Sequence, residues 1–238
     1  MLVLAVDTAT PAAGVALVDE NKVIKEELIN YKKTHSETLM PVIDRVLKEC
    51  ECKIDDLTFM AVTKGPGSFT GLRIGMAALK GLSLAANKPL IGISTLEVIA
   101  HNIIGSEALV CPLLDARKQE VYTALYDVMG DYPQPLSELM ACTPEELITS
   151  ILNSMMINNK ERVVLLGDGY YPYKDYFQQA LGSKRVPVPM HLMLPRASAL
   201  GNLAIEKAKH REFEDVFKLR PLYIRLSEAE YRLGKGEL

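Results

Sequence analysis

Apolar positions change period several times along the chain, and each change marks an element. Leu2 to Val6 is a continuous apolar run stopped by Asp-Thr-Ala-Thr-Pro, and Gly14 to Val18 is a second run. Val23 to Ile29 alternates after a turn signal at Glu20-Asn21, so three consecutive strands in a meander are predicted. Within Ser36 to Cys50, Leu39, Met40, Val42, Ile43, Val46, Leu47 and Cys50 recur at helical spacing opposite Asp44, Arg45, Lys48 and Glu49. Pro41 is then expected in the first turn, where its missing N–H costs little. Leu57 to Thr63 predicts a fourth strand, Gly71 to Ala86 a second helix and Pro89 to Ile93 a fifth strand. The order β-β-β-α-β-α-β closes near residue 100.

A second block opens with Leu109 to Leu114, which reads as a buried strand, followed by the alternating stretch Glu120 to Val128. Helices are predicted from Glu145 to about Met155, around Lys174 to Leu181 and from Ala197 to His210, with a strand at Val163 to Leu166. Gly130 to Thr143 fits neither period. Two α/β halves of similar style are the economical organisation, residues 1–104 and 105–238, with the last segment expected to pack back on the first half.

Composition narrows the class. Of 238 residues, 48% are hydrophobic, enough to bury a core without disulfides, so disordered and mini-protein readings are excluded. With 27 basic against 30 acidic residues the net charge is -3, which gives no chain-wide footprint for nucleic acid or an anionic membrane. Cys50, Cys52, Cys111 and Cys142 form no zinc pattern, and Asp7 interrupts the first apolar run. A soluble cytoplasmic protein with reduced thiols is expected.

Three turns could carry chemistry. Gly65-Pro-Gly-Ser-Phe-Thr-Gly-Leu-Arg-Ile-Gly75 follows a strand and opens a helix. Gly65 and Gly67 permit close backbone approach, while Ser68 or Thr70 can cap the helix and leave N–H groups aimed at an anion. The same pattern also suits a tight turn with no ligand. Asp7-Thr8-Ala9-Thr10 ends the first strand where two-lobed sugar kinases and actin-like ATPases hold metal and phosphate, but Ala9 stands where a glycine is expected. Gly167-Asp168-Gly169 after a later strand resembles the adenosine turn of the same folds. The four histidines include no pair at ligand spacing, and only His35, beside Ser36, stands near a candidate turn. Small and apolar residues wrap most of the 71–86 helix, so either both faces are buried within the chain or the outer face meets another protein.

Together LAVDTAT at 4–10, KGPGSFTGLRIG at 64–75, Ile93-Ser-Thr-Leu-Glu97, Leu114-Asp-Ala-Arg117, Pro195-Arg-Ala-Ser198 and Pro221-Leu-Tyr-Ile-Arg225 resemble the bacterial TsaB (YeaZ) family over nearly the whole chain. The resemblance implies a two-lobed actin-like (ASKHA) α/β fold of RNase H-like halves. It also implies a non-catalytic subunit that binds and activates a metal-bearing paralogue, TsaD, in threonylcarbamoyl transfer to tRNA adenosine. A TsaE-type ATPase is a further implied partner, and self-association to a homodimer an alternative in isolation. In the paralogue two histidines after the second helix bind metal; Thr95 and Ile99 stand at those places here, so no metal or other cofactor is expected. Helices 36–50 and 71–86 are expected to form the partner interface, with Leu39, Met40, Ile43, Leu72, Gly75, Met76 and Leu79 as anchors. Asp7, Thr8, Gly65, Gly67, Ser68, Thr70, Gly167 and Asp168 are the expected degenerate nucleotide or anion site. The competing readings are an ATPase or kinase acting alone through Asp7 and the glycine turns, and a metallopeptidase, which the missing ligands disfavour.

Overall fold

The computed structural model describes residues 1–30 and 34–224. Strands β1 (Leu2–Asp7), β2 (Ala13–Asp19) and β3 (Val23–Ile29) form the predicted meander. Helix α1 (His35–Glu49), β4 (Phe59–Gly65), α2 (Phe69–Ala86) and β5 (Leu90–Ser94) complete the first half. The sheet order is β3-β2-β1-β4-β5, antiparallel through the meander and parallel from β1 to β4 to β5.

The period of two along a strand divides β1 between two cores. Leu4 and Val6 pack under α1 and α2 with Leu39, Ile43, Met76 and Leu79. Val3 and Ala5 face the opposite layer, where helix α6 (Ala197–Lys209) contributes Ala197, Leu200, Leu203 and Ala204. Both faces of this sheet are covered, which is why β1 reads as a continuous apolar run. Helix α6 sits close because the surfaces are small: a Cβ on Gly201 would lie 2.4 Å from a Val18 methyl, and one on Gly14 3.2 Å from the Ala197 methyl. At its start Arg196 Nη2 meets Glu26 Oε2 at 2.5 Å, and the Ser198 N–H donates to the same carboxylate at 3.1 Å. Burial pushes the Glu26 carboxyl up, but Arg196 and Ser198 outweigh it and hold it below the usual range.

Helix α3 (Thr95–His101), absent from the sequence expectation, follows β5 directly and is buried at Leu96, Val98, Ile99 and Ala100. The second half is a sheet in the order β10-β7-β6-β11-β12, built from β6 (Leu109–Asp115), β7 (Val121–Thr123), β8 (Tyr126–Asp127), β9 (Gln134–Pro135), β10 (Met140–Cys142), β11 (Val163–Leu166) and β12 (Arg185–Val186), with β8 and β9 off that path. Helices α4 (Pro144–Ile157) and α5 (Lys174–Leu181) pack on it. The unresolved period of 130–143 corresponds to β9 and β10, too short to show alternation.

One local expectation fails. Helix α1 begins at His35, with Thr34 Oγ1 donating to Glu37 Oε2 at 2.8 Å, so Pro41 lies in the second turn rather than the first. Both Pro41 and Glu37, whose carbonyl loses its partner, are exposed, so water can satisfy that oxygen. Among the described residues no helix is long and apolar enough to cross a membrane.

Candidate functional site

The ends of β1 and β4 and the start of α2 meet β6, β7 and the turn after β11 at a cleft of about 580 Å³. Its walls include Thr10, His35, Ser68 and Thr70 on one side and Asp115, Arg117, Tyr122 and Asp168 on the other. The glycine-rich turn and the two acidic turns are thus brought together. What they do there differs from a phosphate site.

Asp7 is fully buried and lies beneath the cleft floor. Its Oδ1 accepts from Thr63 Oγ1 at 2.7 Å and from the Ala9 N–H at 3.2 Å, while its Oδ2 has no partner. Burial raises its pKa from 3.8 to about 6; the Thr63 and Ala9 hydrogen bonds pull the other way, and the Asp168 charge adds to the rise. Thr63 had no sequence signal: it becomes Asp7's partner only because β4 lies parallel beside β1. Asp168 is also pushed up, first by burial and then by Asp115, although its Oδ1 accepts from the Asp115 N–H at 3.2 Å. The cleft's cation, Arg117, is already paired with Asp115 at 3.1 Å. An entering anion would therefore meet two carboxylates and no free guanidinium.

The glycines are used by the chain itself. A Cβ on Gly67 would lie 2.3 Å from the Ala9 carbonyl oxygen, one on Gly71 2.1 Å from the Thr8 oxygen, and one on Gly75 2.2 Å from Thr8 Oγ1. Thr8 Oγ1 donates to the Gly71 carbonyl at 2.8 Å, and the Ser68 N–H donates to the Ala9 carbonyl at 2.7 Å. His35 Nε2 lies 2.9 Å from the Thr10 carbonyl, so α1 is tied to the same turn. The N-cap is Ser68, whose Oγ accepts from the Gly71 N–H at 3.2 Å, so two N–H groups that a phosphate would need are bonded internally. Gly167 likewise serves packing, since a Cβ there would lie 2.0 Å from the Leu113 oxygen. At the start of α3, Thr95 and Ile99 are fully buried, and among the described residues no three His, Cys, Asp or Glu side chains gather as a metal site.

The interface anchors need correction. Leu39, Ile43, Leu72, Met76 and Leu79 are all buried, and Gly75 is pressed onto Thr8, because the sheet takes the stripe with the larger side chains. Met40 alone of the expected anchors is exposed, at 46%. The outward stripe of α2 is instead Thr70, Ala77, Gly81 and Leu84, the last 51% exposed, and nothing lies within 4 Å of where a Gly81 Cβ would be.

Comparison with known proteins is consistent with this architecture. The model of the TsaD family, described as tRNA N6-adenosine threonylcarbamoyltransferase, matches residues 22–233. The TsaB protein of Bacillus subtilis, a tRNA threonylcarbamoyladenosine biosynthesis protein, is 36% identical over 231 residues, covering 97% of this chain and 96% of its own. YeaZ from Pseudomonas aeruginosa has the same fold, with a TM-score of 0.76 at 24% identity over 94% of this chain and 100% of its own. The activator of 2-hydroxyisocaproyl-CoA dehydratase from Clostridium difficile, a structure with bound ADPNP, has a TM-score of 0.51 at 12% identity over 89% of this chain and 97% of its own, a likeness of the actin-like fold alone. By fold and by near full-length identity, the chain belongs to the TsaB (YeaZ) family of tRNA threonylcarbamoyladenosine biosynthesis proteins, within the group that the TsaD model describes.

Proposed function

We propose that the chain is a non-catalytic subunit that binds and activates a metal-bearing TsaD-type enzyme, which transfers the threonylcarbamoyl group from its adenylate to N6 of adenosine in tRNA. The observation that carries this reading is Asp7. The one carboxylate placed as in an ATPase is sealed beneath the cleft, with its free oxygen facing no solvent. The match of the TsaD model to this chain supports the choice of partner, because a TsaD-type protein then has a comparable first lobe and can present equivalent helices in a pseudo-symmetric contact. The docking face is the outward stripe Thr70, Ala77, Gly81 and Leu84 of α2, together with Met40 of α1. Self-association through this face competes with the partner, and a TsaE-type ATPase joins the assembly as the source of ATP turnover.

The test is reconstitution with the TsaD-type protein of the same cell. The chain alone should hydrolyse no ATP, co-purify with the partner and be required for modification of tRNA. Gly81→Arg, placed in open space, should keep its circular dichroism spectrum and lose the partner. Turnover by the isolated chain that disappears in Asp7→Asn would instead establish the alternative, an ATPase of the actin-like class.

A further inference from the structure

Beyond α6 the chain runs as a strap, broken by one turn at 216–218, along the edge of the first sheet. The Glu214 N–H donates to the Leu90 carbonyl at 2.9 Å, and the Glu214 carboxylate meets Lys64 Nζ at 3.2 Å. Leu219 is buried in the core under α2. The Leu222 N–H then donates to the Lys64 carbonyl at 2.5 Å, and Tyr223 lies flat on Phe69, with ring centres 3.9 Å apart. Gly65, at φ +111°, admits this path: a Cβ there would lie 2.7 Å from the Leu222 oxygen. A glycine that the sequence offered to an anion serves the strap.

Besides the Tyr223–Phe69 stack and the buried Leu219, the strap holds both cations of α2. Arg73 Nε donates to Tyr223 Oη at 2.9 Å, with its guanidinium 4.5 Å from the centre of the Phe69 ring. Lys80 Nζ donates to the Leu219 carbonyl at 3.1 Å. Arg73 and Lys80 are the only charged residues of α2, and both flank its outward small-residue stripe on the strap side. Left free, either side chain could lie over Ala77 and Gly81. A helix packing there would then bury an unpaired charge or have to displace it, at a cost in affinity.

We infer that the strap Leu219–Tyr223 prepares the docking face: Tyr223, stacked on Phe69, holds Arg73 aside, and the Leu219 carbonyl holds Lys80, so that the α2 stripe is clear for a helix of the TsaD-type partner. This rests on the docking face proposed above. Tyr223 is a positioning residue, acting through Arg73.

The experiment measures affinity of the full chain for the TsaD-type partner, with circular dichroism as the folding control. Tyr223→Ala should weaken binding about tenfold, through the freed Arg73 that the partner helix must bury or displace. Arg73→Ala alone should leave affinity near wild type, and the double variant should recover it to within about threefold, because removing the cation removes the need to hold it. Tyr223→Phe keeps the stack and deletes only the acceptor. It carries the test should Tyr223→Ala fail to fold, with a loss of about threefold that Arg73→Ala restores. Unchanged affinity in the Tyr223 variants while Gly81→Arg abolishes binding overturns the strap's role and leaves the docking face standing. Failure of Arg73→Ala to rescue also overturns it, as does a loss in Arg73→Ala alone equal to that of Tyr223→Ala. Binding undiminished by Gly81→Arg overturns the docking face itself.

Discussion

Replacing Asp7 by Asn should exchange a pH-dependent stability for a flat one. The folded chain holds the Asp7 proton up to a pKa of about 6, against 3.8 for an unperturbed carboxyl. Between those values the folded state carries a proton that the unfolded state has lost, so stability is full below about pH 4 and falls as pH rises through about 6. The gap of roughly two pH units corresponds to about 3 kcal/mol at 1.36 kcal/mol per unit. Asn keeps the acceptor for Thr63 Oγ1 and the Ala9 N–H. Its amide nitrogen, however, takes the place of Oδ2, which has no partner, at a cost of about 1–3 kcal/mol. Wild type has by pH 4.5 already lost roughly 1 kcal/mol of that 3, so the variant should be less stable there by up to about 2 kcal/mol. At pH 8 it should be equal to or up to about 2 kcal/mol more stable, so the two curves converge or cross. Urea midpoints followed by circular dichroism from pH 4.5 to 8 read this difference directly, and other titrating groups cancel to first order. A constant offset between the two proteins across the whole range would show that Asp7 does not titrate there and that the sealed-carboxylate account is wrong.

Other perturbations follow from the same packing. Met76→Glu places an unpaired carboxylate in a position 3% exposed and should cost about 3–5 kcal/mol or abolish folding, seen as loss of the circular dichroism transition before any partner is added. Gly71→Ala drives a methyl to 2.1 Å from the Thr8 carbonyl and should lower stability by about 1–3 kcal/mol. Gly81→Ala, in open space, should raise stability by up to about 1 kcal/mol, and thermal melts compare the two. Arg196→Ala strands the Glu26 carboxylate and should destabilise at pH 7 by about 2–4 kcal/mol. The loss should shrink as acid protonates Glu26, because the carboxyl held low in wild type contributes stability only above its own pKa.

The sequence made the elements of the first half legible to within about two residues, because each side of that sheet imposes a clean period. Helix α3 escaped because it is seven residues long, barely two turns, so the single polar pair Glu97 and His101 is too short a pattern to establish a helical period. Helices α1 and α2 were both legible, but not which stripe of each points out. On α2 the inward stripe is Leu72, Met76 and Leu79 and the outward one Ala77, Gly81 and Leu84, and both are apolar. The turns of the cleft were also visible as turns. Their glycines were ambiguous because close approach to a phosphate and close approach to Thr8, Ala9 or Leu222 demand the same missing Cβ. Thr63 could be assigned to Asp7 only from the pairing of β1 with β4.

The first lobe is not finished when its own strands are. Its second face is closed by α6, and part of its first core is filled by Leu219, whereas its last strand ends at Ser94. At about 5–20 residues per second, on the order of 10 s separates synthesis of Ser94 from synthesis of Leu219. During that interval Val3, Ala5, Ala16, Phe59 and Ile91 have no helix from α6 above them, and β5 lacks the strap along its edge. The nascent chain thus carries an uncovered apolar sheet, a natural substrate for chaperones. Loss of the last 42 residues, from Ala197 on, would leave that exposure permanent, so a frameshift just before α6 should act on the first lobe more severely than its position suggests.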